Sequence, residues 1–176
     1  MDILDEEGKP CAPGKVGRLA VKGPTGCRYL ADERQKDYVQ NGWNVTGDAY
    51  LMDRDGYFFY QARTDDMIIS AGYNIAGPEV ESALLTHGAV AECGVIGWPD
   101  ANRGTIVKAY VVLKPETGKT EETKQSLQDH VKKVIAPYKY PRAIDFVAEL
   151  PRTETGKMQK RKLRERYWAG HDTRIV

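Results

Sequence analysis

Ala89-Val90-Ala91-Glu92-Cys93-Gly94-Val95-Ile96 and Ile106-Val107-Lys108-Ala109-Tyr110-Val111-Val112-Leu113 are valine- and isoleucine-rich runs of strand length. Joined by the loop Gly97-Trp98-Pro99-Asp100-Ala101-Asn102-Arg103-Gly104, they predict two strands of one small sheet. Working outward, the flanks are helical. Downstream, Thr120 is placed to cap a helix opening on Glu121 and Glu122, and Leu127, Val131, Val134 and Ile135 form one apolar stripe that stops at Pro137. Ala143 to Val147 alternates as a short strand. Gln159 to Trp168 returns to helix, with Leu163 and Tyr167 on one face. Upstream, Gly77-Pro78-Glu79 puts proline and an acid in a first helical turn, Val80, Ala83 and Leu84 follow at helical spacing, and this helix is expected to end near His87-Gly88. Before Arg63 the pattern is different: Gly17-Arg18-Leu19-Ala20-Val21-Lys22-Gly23 alternates, and Tyr50-Leu51-Met52 and Tyr57-Phe58-Phe59-Tyr60 flank the turn Asp53-Arg54-Asp55-Gly56. Beyond a helical turn or two around Ala31 to Val39, residues 1–62 read as strands and turns. The expected class is α+β: a small domain with a short, mainly antiparallel sheet flanked by helices, preceded by a β-rich segment. No internal repeat or low-complexity tract is present.

The 176 residues carry 41% hydrophobic and 29% charged side chains and a net charge of +1, which describes a soluble globular chain without a global preference for nucleic acid or acidic lipid. Cys11, Cys27 and Cys93 are odd in number and lack metal-type spacing, which favours reduced thiols in a cytoplasmic protein. His87, His130 and His171 have no metal-ligand spacing either, and no metal site is predicted. No apolar run approaches the ~20 residues that span a bilayer, and the start Met1-Asp2-Ile3-Leu4-Asp5-Glu6-Glu7 is acidic where a secretory signal is basic and then apolar. Residues 151–166 hold seven Lys/Arg against two Glu, a local charge of +5, but without the interleaved aromatics of an RNA surface they read as a solvated face.

Three segments carry chemistry. In Leu150-Pro151-Arg152-Thr153-Glu154-Thr155-Gly156-Lys157-Met158 a lysine rides on a turn rich in threonine and glycine. As a compact point charge it suits the oxyanions of phosphate-transfer chemistry. The phosphate-binding loop of nucleotide hydrolases places a further glycine where Pro151 stands and Ser or Thr where Met158 stands, so this is a different device; alone, it reads as a solvated surface lysine. Thr46-Gly47-Asp48 presents a carboxylate, an acceptor-only group suited to a vicinal diol, or else an ordinary Gly-Asp turn. Arg63-Thr64-Asp65-Asp66-Met67-Ile68-Ile69-Ser70-Ala71-Gly72-Tyr73-Asn74-Ile75 lies at the boundary between the two patterns.

In this order the three segments resemble the signatures of the adenylate-forming family of acyl-CoA synthetases, peptide-synthetase adenylation domains and luciferases. The resemblance covers nearly the whole chain and is strongest to 2-aminobenzoate- and benzoate-CoA ligases and medium-chain acyl-CoA synthetases, through Ser70 to Glu81 and Ala136 to Arg142. It implies that Lys157 contacts the carboxylate and α-phosphate during adenylation, that Asp48 accepts from the ribose hydroxyls of ATP, that Arg63 touches the ribose, and that Asp65 is the pivot of the hinge. It implies that the turn at Gly72 and Tyr73 reaches the active site after rotation, and that Arg103 and Tyr140 contact the CoA nucleotide, where arginine suits a phosphate and tyrosine an adenine face. Two positions depart from the pattern: Ala62 stands where a glycine is usual, and Asn74 where many relatives carry an arginine.

The implied organisation is the β-rich end of a large N-terminal adenylating domain at 1–62, a hinge at 63–68 and a mobile small domain at 69–176. The implied substrates are ATP, a carboxylic acid (aromatic or medium-chain) and coenzyme A, with Mg held mainly by the larger domain. That domain's phosphate loop and acyl pocket are absent from this sequence, so the chain alone is expected to be inactive. The competing reading is a stand-alone CoA- or nucleotide-binding or regulatory module without catalysis.

Overall fold

The computed structural model describes residues 1–23, 33, 36 and 38–168, without the side chains of 166–168. The expected turns around Ala31, the segment Pro24 to Leu30 with Cys27, the Tyr167 side chain and His171 lie outside the described residues. The chain divides into two units, Met1–Met67 and Ile68–Val176.

In the first unit, β1 (Asp2–Leu4), β2 (Val16–Val21), β3 (Val39–Gln40), β4 (Trp43–Met52) and β5 (Phe58–Arg63) form one five-stranded antiparallel sheet in the order β1-β2-β4-β3. Strand β5 shares with β3 the same edge of β4, pairing along Asp48 to Met52 while β3 takes Trp43 and Asn44. The turn read at Asp53–Gly56 closes this hairpin: Asp53 Oδ1 accepts from the N–H groups of Asp55 and Tyr57, each at 2.9 Å. Leu4, Ala20 and Val45 are buried against Trp43. The alternation of β2 therefore buries only Ala20 fully, because a bulge between Arg18 and Ala20 breaks the register with β4.

The second unit has the mixed architecture expected of it. The hairpin of β6 (Met67–Ser70) and β7 (Tyr73–Ala76) leads straight into α1 (Gly77–Leu85), then β8 (Val90–Asp100), β9 (Gly104–Leu113), α2 (Glu121–Val134), β10 (Ala143–Phe146) and α3 (Lys160–Trp168). β8 and β9 are antiparallel, while β10 lies parallel to β9. A parallel neighbour needs a crossover, and α2 supplies it. Thr120 caps α2 as its sequence position implies, accepting from the Thr123 N–H at 3.2 Å.

Alternation along the central strands sorts their side chains into two cores. Cys93, Val95, Val107, Ala109 and Val111 face Val80, Ala83 and Leu84 of α1 and Leu127 and Val131 of α2. Ile96 and Tyr110 pack in a second cluster with Leu150 and Leu163, together with Trp98 and Met158. Cover on both faces is why these strands read as near-continuous apolar runs.

Two local expectations are corrected. The loop drawn from Gly97 to Gly104 is mostly strand, since the β8/β9 ladder runs on to Asp100 opposite Gly104 and leaves Ala101–Arg103 as the turn. Asp100 Oδ1 caps it, accepting from the N–H groups of Asn102 (3.0 Å) and Arg103 (2.9 Å). Pro99, Asp100 and Gly104 read as loop from composition, but cross-strand pairing overrides that preference. The apolar stripe of α2 also ends earlier: Val134 is 48% exposed, and Ile135, already extended at φ −128° and ψ 176°, packs against the core in its place.

Candidate functional site

The residues singled out in the first unit come together through strand register. Asp48 of β4 lies directly opposite Arg63, the last residue of β5, as an antiparallel cross-strand pair. The Arg63 Nε stands 3.5 Å from Asp48 Oδ1 and 3.9 Å from Asp65 Oδ1, in the single 3-10 turn Thr64–Asp66 that follows. One arginine thus bridges two carboxylates that are seventeen positions apart in sequence. The three side chains are between 29% and 70% exposed, so the pairings contribute at most about 1 kcal/mol each to stability. Such a set is better suited to contacting a ligand than to holding the fold: an acceptor-only carboxylate beside a fixed cation matches a vicinal diol flanked by phosphate. Close by, the Tyr60 hydroxyl is held protonated, its pKa raised by desolvation first and then by the Asp48 and Asp66 carboxylates.

In the second unit Ala71 (φ 49°) and Gly72 (φ +81°) form the two-residue turn between β6 and β7. Two successive positive φ values twist a tight hairpin correctly, and glycine takes the second at no steric cost. The Ala71 N–H donates to the Arg103 carbonyl at 3.3 Å, so the β8–β9 turn and the Gly72–Tyr73 turn meet. The Tyr73 ring stacks at 4.6 Å and a 30° tilt on Tyr138, and both stay exposed (55% and 43%). Tyr138 was not singled out from sequence; the repeat Tyr138-Lys139-Tyr140 was the available signal. Tyr140 lies in a different setting. Lys132 Nζ is 4.5 Å and Arg142 Cζ 4.8 Å from its ring centroid, and Arg142 Nη1 donates to its hydroxyl at 2.9 Å. The ring is a cation-bearing platform packed against the core.

Lys157 is exposed on a hairpin closed by backbone bonds. The Thr153 N–H donates to the Lys157 carbonyl at 2.8 Å, the Gly156 N–H to the Thr153 carbonyl at 2.9 Å, and the Lys157 N–H to Thr153 Oγ1 at 3.1 Å. Arg152 and Met158 pair as an isolated bridge at its base. Thr153 is the residue that closes this turn, and Thr155 Oγ1 packs against its hydroxyl at 2.9 Å. Of the local +5 charge, Arg152, Lys160 and Arg161 are ion-paired to Glu92, Glu81 and Glu165, which removes much of the basis for a nucleic-acid surface. Cys93 is buried, its thiol pushed up to about 12 by burial and then by the Glu81 carboxylate, and Cys11 is raised by burial as well, so both are inert thiols near neutral pH. Among the described residues no cluster of His, Cys, Asp or Glu could hold a metal ion, and no helix is long and apolar enough to cross a membrane.

Residues 79–157 match the family described as the AMP-binding enzyme C-terminal domain. The chain is 45% identical over 170 residues to the uncharacterised acyl-CoA ligase YtcI of Bacillus subtilis (strain 168), covering 94% of this chain and 32% of that protein. It is 46% identical over 179 residues to the human mitochondrial acyl-coenzyme A synthetase ACSM4, covering 97% and 31%. It thus spans about a third of the length of these relatives. Among solved structures, the anthranilate CoA ligase AuaEII in complex with anthranoyl-AMP is similar at a TM-score of 0.77 and 41% identity, covering 94% of this chain and 32% of that one. The o-succinylbenzoate CoA synthetase MenE of Bacillus subtilis, in complex with its acyl-adenylate intermediate, is similar at 0.76 and 35%, covering 99% and 34%.

Proposed function

We propose that the chain is the C-terminal part of an adenylate-forming, ATP-dependent ligase that joins a carboxylic acid to coenzyme A, a reading supported by the match of residues 79–157 to the AMP-binding enzyme C-terminal domain and by the likeness to acyl- and aryl-CoA synthetases. The observation that carries this reading is the cross-strand pairing of Asp48 with Arg63, with Asp65 on the same guanidinium, upstream of a lysine on its own closed hairpin. In the proposed reaction a carboxylate attacks the α-phosphorus of ATP, releasing pyrophosphate and leaving acyl-AMP; the CoA thiolate then attacks the acyl carbon and AMP departs.

The chain's own contributions follow from its side chains. Asp48 accepts from the ribose hydroxyls, and Arg63 lies against the ribose while Asp65 holds that guanidinium in place. Lys157 brings a positive charge to the α-phosphate and carboxylate as negative charge develops there. The Gly72–Tyr73 turn, with Arg103 attached through Ala71, serves the thioester step, and Arg103 and Tyr140 contact the CoA nucleotide. In this assignment residues 1–62 end the large adenylating domain, 63–68 are the hinge about Asp65, and 69–176 are the mobile small domain. Magnesium, which neutralises the pyrophosphate when bound, is held mainly by the rest of the ligase. The acid is aromatic or medium-chain, and the protein is cytoplasmic.

A pyrophosphate-exchange assay separates the parts of the reading. The isolated chain is expected to show none, while a ligase containing it turns over with benzoate, 2-aminobenzoate or a medium-chain fatty acid. Robust exchange by the chain alone refutes the division of the site. Failure on all three acids refutes the substrate class.

A further inference from the structure

Lys157 is fastened to the second unit at both ends of its hairpin. On the leading side Arg152 Nη2 pairs with Glu92 of β8 at 2.7 Å, while its Nη1 donates to the Gly156 carbonyl at 2.7 Å. On the trailing side Met158 lies over Gly94, where a Cβ would stand 2.8 Å from its sulfur and 3.0 Å from Leu163 Cδ1. Only glycine lets the hairpin settle this closely on β8. Two residues further on, Lys160 Nζ lies 2.9 Å from Glu81 Oε1, the two side chains being 15% and 16% exposed. Glu81 Oε1 also accepts from the Val95 N–H at 2.8 Å. β8 is an edge strand of its sheet, so this N–H has no strand beside it on that side, and Glu81 supplies the acceptor.

Glu81 belongs to α1, and α1 begins directly after β7, the strand that carries Tyr73 out of the Gly72 turn. The helix that holds one functional turn therefore grips, through a single carboxylate, the chain just past the functional lysine. We infer that Glu81 is a positioning residue that fixes the Lys157 hairpin relative to the Gly72–Tyr73 turn, so that both elements travel as one body. The catalytic meaning of that coupling rests on the proposed ligase function; the clamp itself does not. The Arg152–Glu92 pair, 44% and 45% exposed, contributes less to this, because solvent competes for both charges. A largely buried pair whose loss strands the other charge is strongly coupled to the geometry around it.

The experiment is segment-resolved amide hydrogen exchange on the full chain, comparing wild type with Glu81→Gln, Lys160→Met and the charge-swapped double substitution Glu81→Lys with Lys160→Glu. The single substitutions are expected to speed exchange at Thr153, Gly156, Lys157 and Gln159 by about tenfold or more, leaving Leu127 and Val131 of α2 at wild-type rates. The swap recovers part of the protection, since it restores the pair but not the bond to Val95. Hairpin rates within about twofold of wild type overturn the proposal, as does equal acceleration throughout the second unit, which makes Glu81 a general stabiliser. In a ligase containing this chain, Glu81→Gln is expected to slow pyrophosphate exchange while sparing thioester formation from supplied acyl-AMP. A loosened hairpin with unchanged pyrophosphate exchange leaves the clamp standing and removes Lys157 from the adenylation step.

Discussion

Residues 1–67 bury Ala20, Ala49 and Ala62 beside Ile3, Leu4 and Val45, whereas residues 68–176 bury branched aliphatics from three helices and five strands. Both units leave aromatics at the surface, Tyr57, Phe59 and Tyr60 in the first and Tyr73 and Tyr138 in the second, where Trp98 and Phe146 pack on the cores. The candidate residues differ in the same sense. Asp48 and Arg63 meet because they are register partners in one hairpin, so local pairing suffices to place them. Lys157 is placed by contacts to β8 and α1, segments some 60 to 80 positions away in the chain. A site made by register tolerates loss of a neighbour; a site made by tertiary clamps does not.

The sharpest way to break this comparison is to remove the two charges separately in a ligase containing the chain. Lys157→Ala is expected to lower the adenylation rate by about 10²–10³, the scale of a lost oxyanion-stabilising group, while thioester formation from supplied acyl-AMP persists. Equal loss of both half-reactions contradicts the separation of roles between the hairpin and the Gly72–Tyr73 turn. Asymmetry between the cores is tested next: Leu127→Ala removes a side chain with no exposed surface and is expected to destabilise the second unit by about 2–5 kcal/mol. Thermal unfolding of the full chain reads this, and a shift below about 0.5 kcal/mol contradicts a core centred on α2.

Asp48→Asn addresses the register-made site. It keeps the shape of the side chain and an acceptor but loses the charge, so AMP affinity is expected to fall by about 1–3 kcal/mol with the fold intact. Calorimetric titration of the intact ligase measures it, and unchanged affinity removes Asp48 from the ribose. The smallest effect is one of pH. His87 is lowered below its ordinary 6.5 by desolvation first and by His130 second, their rings 5.1 Å apart at the junction of α1 and α2. Its Nε2 lies 3.1 Å from Ser126 Oγ, and His130 Nε2 lies 2.7 Å from Thr86 Oγ1. The unfolded chain therefore binds the proton more readily than the folded one. Stability is full above the ordinary histidine range and declines as pH drops through about 6.5 toward the lowered folded value. His87→Gln should flatten that decline in melting curves taken between about pH 7 and 5; an unchanged slope assigns it to other groups.

Much of this was legible in the sequence. The helices α1 and α2 were readable from Pro78, from the Thr120 cap and from apolar spacing, because these signals act within one or two turns of chain. The segments Thr46–Asp48, Arg63–Ile75 and Leu150–Met158 stood out because each is contiguous. Three things were not. The extent of β8 and β9 was hidden by Pro99, Asp100 and Gly104, whose loop preferences yield to ladder pairing. The setting of Tyr140 was hidden because Lys132 approaches its ring from the end of α2, while Arg142, two residues on, turns back to its ring and hydroxyl. Glu81 was hidden because largely buried acids on a helix have no local signature; Lys160, brought across by α3, and the Val95 N–H of β8 give its carboxylate a reason to be there. The sequence alone determined which residue types were available for chemistry and which short segments carried them, since local backbone preferences and contiguous motifs need no third dimension. Tertiary structure alone decided which charges are neighbours and how firmly the lysine is held, since burial and ion pairing depend on distances between segments that the chain order does not specify.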